Sequence, residues 1–112
     1  MNQKIQPSRL RDLVLSSLDE LKAVNPVIIN VKKLSSFTDY MMIASGTSNR
    51  HIQSIGEKVL YDLKSKRIKP LGVEGEESKE WVLIDLGDVV LHLMSAKART
   101  FYDLESLCDP DL

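Results

Sequence analysis

The sequence predicts a single α/β (α+β) domain, with helices packed on a mixed five-stranded sheet. Its 112 residues suffice for one hydrophobic core but not for two. Segments with helical periodicity are interspersed with short β-branched apolar runs, a pattern typical of a sheet covered by helices. Two of these runs flank Gly87 and Asp88, which indicates a tight hairpin. We expect residues 1–7 and 109–112 to be flexible ends of the domain.

The first part of the chain predicts a helix followed by two antiparallel strands. The helix opens at Pro7, and Asn25–Pro26 is expected to stop it. Its apolar residues recur at three- and four-residue spacing: Leu10, Leu13, Val14, Leu18 and Leu21. Strands are predicted for residues 27–31 and 38–45. The connection between them is short and polar, which suits antiparallel neighbours.

A second helix is predicted for residues 48–69, with Pro70 as its end. Thr47 or Ser48 can cap this helix by accepting a hydrogen bond from a free amide of the first turn. The apolar face of the helix is formed by Ile52, Ile55, Val59 and Leu63. Residues 71–73 follow as a short strand, parallel to the second strand because a helix separates the two.

The hairpin separates its side chains into two faces, because side chains alternate along each strand. With Leu86 opposite Val89, one face is aliphatic and predicts core: Val82, Ile84, Leu86, Val89, Leu91 and Leu93. We expect the 48–69 helix to cover it. The other face contains Trp81, Leu83, Asp85, Val90, His92 and Met94. Since it is apolar but carries a carboxylate and an imidazole, we expect a half-covered face or a docking surface.

The chain closes with a third predicted helix over residues 97–107. Its apolar residues Phe101, Leu104 and Leu107 share one face at three-residue spacing. Asp109–Pro110 is expected to stop it.

Composition and charge argue against several classes of protein. The 15 basic and 16 acidic residues leave a formal charge of −1, whereas nucleic-acid binders usually show a basic excess. No apolar run approaches the roughly 18 residues of a membrane helix, and the N-terminus lacks an apolar segment of the signal-peptide type. The single Cys108 cannot form an internal disulfide. We therefore expect a cytoplasmic protein with no membrane segment and no direct nucleic-acid readout.

A metal-dependent nucleotidyltransferase is the main enzymatic alternative. The strand that runs into Gly46–Ser48 and a helix could bind a phosphate, although a simple helix cap explains these residues more often. Such an enzyme also needs a carboxylate pair on a neighbouring strand to hold Mg²⁺. Asp85 and Asp88 are the only near candidates, and turn chemistry is the more economical role for Asp88.

Other catalytic and metal chemistry finds little support in the sequence. His92 could act as a general base if Asp85 oriented it, but no activated nucleophile lies nearby in the sequence. His51, His92 and Cys108 have no spacing of a local metal motif. We therefore predict no cofactor and no enzymatic activity.

Two aromatic residues indicate a protein interface instead. Trp81 and Tyr102 are of the residue types that anchor interfaces, although Trp81 is equally compatible with core packing. An apolar strip surrounds Trp81 and includes Leu83, Val90 and Met94. Exposed strips of this kind usually mark a partner, which could also be a second copy of the chain. The acidic run Glu74, Glu76 and Glu77 suits a basic protein surface.

Several short stretches, taken together in order and spacing, resemble the iojap family, the ribosomal silencing factors called RsfS. The resemblance covers nearly the whole chain after residue 8. The stretches that carry it are Asp39–Tyr40, Ile43–Ser48, Glu74–Gly75, Trp81–Asp85, Gly87–Val90 with His92, and Arg99–Glu105.

This resemblance implies a fold related to that of nucleotidyltransferases but without their catalytic carboxylates. It implies binding to the large ribosomal subunit through its ribosomal protein number fourteen. It also implies that joining of the small subunit is blocked, which silences translation when nutrients are short. Carried onto this chain, the partner surface is expected to include Glu74, Trp81, Asp85, Asp88, His92, Arg99 and Tyr102.

Overall fold

A computed structural model of the protein describes residues 5–78 and 80–107, which form one sheet with helices on it. The elements are α1 (Pro7–Glu20), β1 (Val24–Asn30), β2 (Tyr40–Gly46), α2 (Asn49–Ser65), β3 (Gly72–Glu74), β4 (Trp81–Asp85), β5 (Val89–Ser95), α3 (Ala96–Tyr102) and α4 (Leu104–Leu107). The five strands lie in the order β1-β2-β5-β4-β3. Because β2 and β5 are parallel and the other neighbours are antiparallel, the predicted mixed five-stranded sheet is confirmed.

The core lies between one face of the sheet and the helices α1 and α2. The helices contribute Leu10, Val14, Leu18, Ile52, Ile55, Val59 and Leu63. The strands contribute Tyr40, Met42, Ala44, Val82, Ile84, Val89, Leu91 and Leu93, with Leu86 packed partly buried against them. The predicted aliphatic face of the hairpin and its cover by α2 are therefore confirmed. None of the described helices is long and apolar enough to cross a membrane.

The hairpin register is confirmed. Asp85 lies opposite Val90, and the backbone N–H of Leu86 donates to the carbonyl oxygen of Val89 at 2.9 Å. The turn requires a positive φ of 84° at Gly87, a conformation that glycine adopts without steric cost. The carboxylate of Asp85 accepts a hydrogen bond from the Gly87 N–H at 2.9 Å, which stabilises the same turn.

The first helix ends earlier than predicted. Lys22 adopts a left-handed φ of 57°, and the N–H of Ala23 donates to the carbonyl oxygen of Leu18 at 2.9 Å. This closes the helix by a local C-terminal motif that usually uses glycine. Asn25–Pro26, expected as the helix stop, instead lies within β1, where the pairing with β2 shifts register. A proline is tolerated there because it occupies an edge strand at an irregularity.

The second helix also ends early, at Ser65 and not at Lys69. Arg67 has a φ of 61°, and the N–H of Ile68 donates to the carbonyl oxygen of Leu63 at 2.9 Å. At the other end, the hydroxyl of Ser48 accepts from the N–H of His51 at 3.0 Å, so the predicted cap is Ser48.

The short strand β3 runs in the same direction as β2, as predicted, but the two are not neighbours. β3 pairs antiparallel with β4 at the edge of the sheet, and the parallel neighbour of β2 is β5. The crossover through α2 therefore spans the positions that β5 and β4 later fill.

A continuous helix over residues 97–107 is a wrong prediction. The left-handed φ of 48° at Asp103 divides this segment into α3 and α4. Phe101 and Leu107 are 79% and 75% exposed, so the predicted apolar face is not buried. The predicted stop at Asp109–Pro110 lies outside the described residues, as do residues 1–4 and 109–112 of the predicted flexible ends, and Pro7 already belongs to α1.

Candidate protein-binding face of the sheet

The face of the sheet opposite α1 and α2 is only partly covered, and we call it the open face. Cross-strand neighbours arrange it in three rows. The middle row is Val27, Ile43, His92, Leu83 and Glu74. The row towards the hairpin turn is Ile29, Met41, Val90, Asp85 and Gly72. The third row is Val24, Ser45, Met94 and Trp81.

Apolar side chains dominate the exposed part of this face. Half-buried positions come from four of the five strands, namely Val27, Ile29, Met41, Leu83 and Val90. Met94, expected in the exposed strip, is fully buried because it lies at the end of the sheet that α3 covers. Such a contiguous apolar area, open to solvent, is typical of a protein-binding surface.

Trp81 lies where the open face meets α3. Its indole N–H donates to Nδ1 of His92 at 2.9 Å. The ring of Tyr102 packs at a tilt against the indole, with 4.6 Å between centroids, and Phe101 contacts Tyr102 edge-on at 5.0 Å. The half-buried Trp81 thus joins a strand to α3 and still presents part of its ring to solvent.

His92 is 5% exposed, and burial lowers its pKa to about 4. The Trp81 N–H is directed at Nδ1, so that nitrogen is the acceptor and the ring proton of the neutral form resides on Nε2. Asp85, which we considered as the group orienting His92, instead bonds the hairpin turn. Trp81 is therefore the residue that orients this imidazole.

The stability of the protein is expected to fall between pH 7 and pH 5, by on the order of 1 to 2 kcal/mol through His92. The unfolded imidazole takes up a proton near pH 6.5, whereas the folded one resists protonation down to about pH 4. Between these values the unfolded state binds more protons, so the free energy of unfolding rises with pH. Denaturant titrations at both pH values check this, with His92→Phe as the control. Equal pH dependence in the two proteins would contradict it.

Arg99 joins α3 to α4 and to the first two strands. Its Nε and Nη2 donate to the two carboxylate oxygens of Glu105, at 2.8 and 3.3 Å. Its Nη1 donates to the carbonyl oxygen of Val24 at 3.3 Å and to the hydroxyl of Ser45 at 3.2 Å. The side chain of Arg99 is only 13% exposed, and the guanidinium makes these hydrogen bonds within the domain. Arg99 is thus placed to position α3, and with it Tyr102.

Replacing Arg99 with leucine is expected to lower the free energy of unfolding by about 1 to 2 kcal/mol, since hydrogen bonds from a charged donor are lost. Lys97→Leu is the matched control, because Lys97 lies exposed on the same helix. Denaturant unfolding measures both variants. Arg99 would have no structural role if the two midpoints shifted equally.

The three acidic residues predicted for the partner surface lie on the β3 side of the sheet and at the hairpin tip. Glu74 is exposed at the end of the middle row, and Asp85 belongs to the row beside it. The carbonyl oxygen of Asp88 accepts from the N–H groups of Asp39 and Tyr40, at 2.9 and 3.0 Å, which attaches the start of β2 to the hairpin. Among the described residues, no group of three or more His, Cys, Asp or Glu side chains could hold a metal ion.

The contribution of the first two strands was missed by the sequence reasoning. Val27, Ile29 and Met41 complete the open face on the side away from Trp81. The run of residues 27–29 is apolar at every position, so it has no alternation that would indicate which face of β1 is covered, and Ile28 between them is 37% exposed. It does not reveal which face adjoins Trp81, because that depends on the parallel pairing of β2 with β5.

Residues 4–110 match the family described as "Ribosomal silencing factor during starvation". The chain belongs to this family. A ribosomal silencing factor of Chromobacterium violaceum is 38% identical over 95 residues, covering 85% of this chain and 78% of that protein. One of Haemophilus influenzae is 34% identical over 98 residues, covering 88% of this chain and 96% of its own length. The resemblance to the iojap family is thereby confirmed.

Two solved structures share this fold. A crystal structure of a Chromobacterium violaceum protein superposes with a TM-score of 0.90 at 35% identity, covering 93% of this chain and 87% of that one. A Bacillus halodurans protein superposes with a TM-score of 0.82 at 35% identity, covering 89% and 93%. A mouse relative, 33% identical over 86% of this chain and 43% of its own length, is named "Mitochondrial assembly of ribosomal large subunit protein 1".

Proposed function

We propose that this protein represses translation by binding the large ribosomal subunit, through its ribosomal protein number fourteen, and so preventing the small subunit from joining. We propose that the repression occurs when nutrients are limiting and that the protein acts in the cytoplasm. The observation that carries the proposal is the open face, with its contiguous apolar side chains and Trp81 at one end. Membership of the ribosomal silencing factor family supports it.

The open face has the composition of a protein interface. A large aromatic ring lies at its border, held in place by Tyr102 and His92. Interfaces depend on a few such anchors surrounded by apolar contacts that exclude water. Because Trp81 is already held in place, little side-chain entropy would be lost when a partner covers it.

Charge supports a basic protein as the partner. Glu74 and Asp85 flank the apolar rows of the open face on the β3 side, and Asp88 follows at the hairpin tip. Complementary charges at the rim of an interface speed association and disfavour wrong partners. A basic ribosomal protein exposed on the large subunit would complement these acidic residues. Binding to it would not require contacts with ribosomal RNA.

To silence translation by occupying the joining surface, the protein must bind the large subunit and be large enough to keep the small subunit away. It does not need to catalyse a reaction. The described domain measures 40 × 33 × 22 Å, so even its shortest dimension far exceeds a hydrogen-bond length. A bound copy on the joining surface would hold the two subunits too far apart for direct contacts. A standard interface of about 1,600 Å² would suffice to hold it there.

Co-sedimentation with isolated large and small subunits, followed by a subunit-joining assay, tests the proposal. We expect the protein to pellet with the large subunit only and to suppress joining. Failure to pellet with either subunit would overturn the proposal. Turnover of ATP or GTP with Mg²⁺ that disappears in Asp85→Ala would favour the enzymatic alternative instead. Light scattering shows whether the free protein is a monomer or a homodimer.

Leu83→Lys is expected to weaken binding to the large subunit about ten-fold, because it buries a cation against a basic partner. Leu83 is half-buried near the centre of the open face. The matched control is Tyr61→Lys, since Tyr61 is 70% exposed on α2, on the other side of the sheet. Titration by co-sedimentation compares the two. Equal losses would show that the open face is not the contact surface.

A further inference from the structure

We propose that His92 is a fixed hydrogen-bond donor on the open face, which selects a partner that presents a neutral acceptor, a carbonyl oxygen, above the middle row. The inference rests on the proposed function, because the open face is the surface that the ribosomal partner would cover. It deepens that function by assigning the chemistry of one contact in an otherwise apolar area.

The direction of the donor is set by Trp81. An indole N–H can only donate, and it is directed at Nδ1 of His92 from 2.9 Å. The neutral imidazole must then carry its proton on Nε2. Burial keeps the ring neutral at ordinary pH, since it lowers the pKa to about 4. The outward nitrogen is therefore an N–H donor that cannot act as an acceptor.

Burial and register place this donor at the surface of the open face. In the described part of the chain, every buried side-chain nitrogen and oxygen has a hydrogen-bond partner. Nε2 of His92 donates to none of the described residues, and we assign it to the 5% of His92 that remains exposed. Its neighbours in the middle row are the apolar side chains of Ile43 and Leu83, which offer no acceptor.

His51 shows what a purely structural histidine looks like in the same molecule. Its Nδ1 accepts from the N–H of Thr47 at 2.9 Å, and its Nε2 lies 2.8 Å from the carbonyl oxygen of Leu21. Both ring nitrogens are thus used to attach the end of α1 to the start of α2. His92 uses one nitrogen inside the domain and leaves the other for a partner.

A neutral acceptor is favoured over a carboxylate. Asp85 lies on the same face, at a position diagonal to His92, and Glu74 ends the same row. These two carboxylates would repel an acidic group brought above the row. A partner that covers Nε2 without offering an acceptor leaves a buried N–H unpaired. The desolvation of that N–H is then not compensated, and the binding free energy becomes less favourable.

The experiment compares His92→Phe, which keeps a flat ring but removes the donor, with His92→Gln, which keeps an N–H donor. Affinity for isolated large subunits is measured by co-sedimentation, and folding by circular dichroism. We expect a loss of at least about ten-fold for phenylalanine and recovery of most of it for glutamine. Wild-type affinity of a folded phenylalanine variant, or equal losses in both variants, would overturn the inference.

A long-range ¹H–¹⁵N spectrum of the free protein gives a second readout that does not depend on the ribosome. At neutral pH the proton of His92 is expected on Nε2, and a proton on Nδ1 would overturn the inference even if His92→Phe fails to fold. If the unaltered chain binds no large subunit, the proposed function fails and the partner assigned here fails with it. Loss of binding in His92→Phe, recovery in His92→Gln and a proton on Nε2 together support the inference, whereas unaltered binding by a folded His92→Phe variant leaves the proposed function standing without it.

Discussion

Trp81→Ala is expected to weaken binding to the large ribosomal subunit by about 30- to 100-fold, or about 2 to 3 kcal/mol. The substitution removes the largest side chain at the border of the open face. It also removes the ring that holds Tyr102 at 4.6 Å and the donor that orients His92. Three features of the proposed contact surface are therefore lost together.

The fold should survive this change, because Trp81 is half-buried and is not part of the core between the sheet and the helices α1 and α2. Co-sedimentation titrations give the affinity, and circular dichroism gives the folded state. Tyr61→Ala is the matched control, since it removes an aromatic ring that is 70% exposed on α2. Unfolding of the Trp81 variant, or an affinity equal to that of the control, would contradict the role of Trp81 as an anchor.

The hairpin could be predicted because its signals are local. Gly87 and Asp88 fix the turn, and the alternation of apolar residues then fixes both faces without knowledge of the rest of the chain. The same local information placed Trp81 and His92 on one face of the hairpin, where they form a hydrogen bond. Tyr102 lies far along the chain, and its contact with Trp81 appears only in the folded structure.

The ends of the helices could not be predicted, because they lack the usual signal. Lys22, Arg67 and Asp103 all adopt left-handed backbone conformations at or just after a helix end. Glycine normally occupies that conformation, so lysine, arginine or aspartate in the sequence does not indicate a helix end. When prolines are used as the stop signal, as with Pro26 and Pro70, the helices are predicted to end several residues too late.

The rest of the candidate site depends on contacts between distant parts of the chain. Arg99 reaches Val24 and Ser45 across 75 and 54 residues of sequence. No local periodicity encodes such contacts. Likewise, the open face extends over β1 and β2 only because β2 pairs in parallel with β5, which a crossover helix permits but does not specify. The sequence therefore indicated the Trp81 half of the surface and not the other half.

Gly75→Ala is expected to lower the free energy of unfolding by about 3 kcal/mol or more. Gly75 follows β3 with a φ of 83°, and a Cβ added there would overlap the carbonyl oxygen of Trp81. Both the left-handed backbone and the close approach of two main chains thus require glycine. Relief of the overlap would displace the first residue of β4, so the variant should also bind the large subunit more weakly.

Gly72→Ala is the matched control for this change. Gly72 is the first residue of β3, three positions before Gly75, and a Cβ added there meets no heavy atom within 4 Å. Its alanine variant is expected to remain near wild-type stability in denaturant unfolding, or slightly above it, since alanine restricts the unfolded chain. Equal stability of the two variants would mean that the backbone of Trp81 is free to move away from Gly75. In that case the position of the anchor would depend on α3 and Tyr102, and not on the turn between β3 and β4.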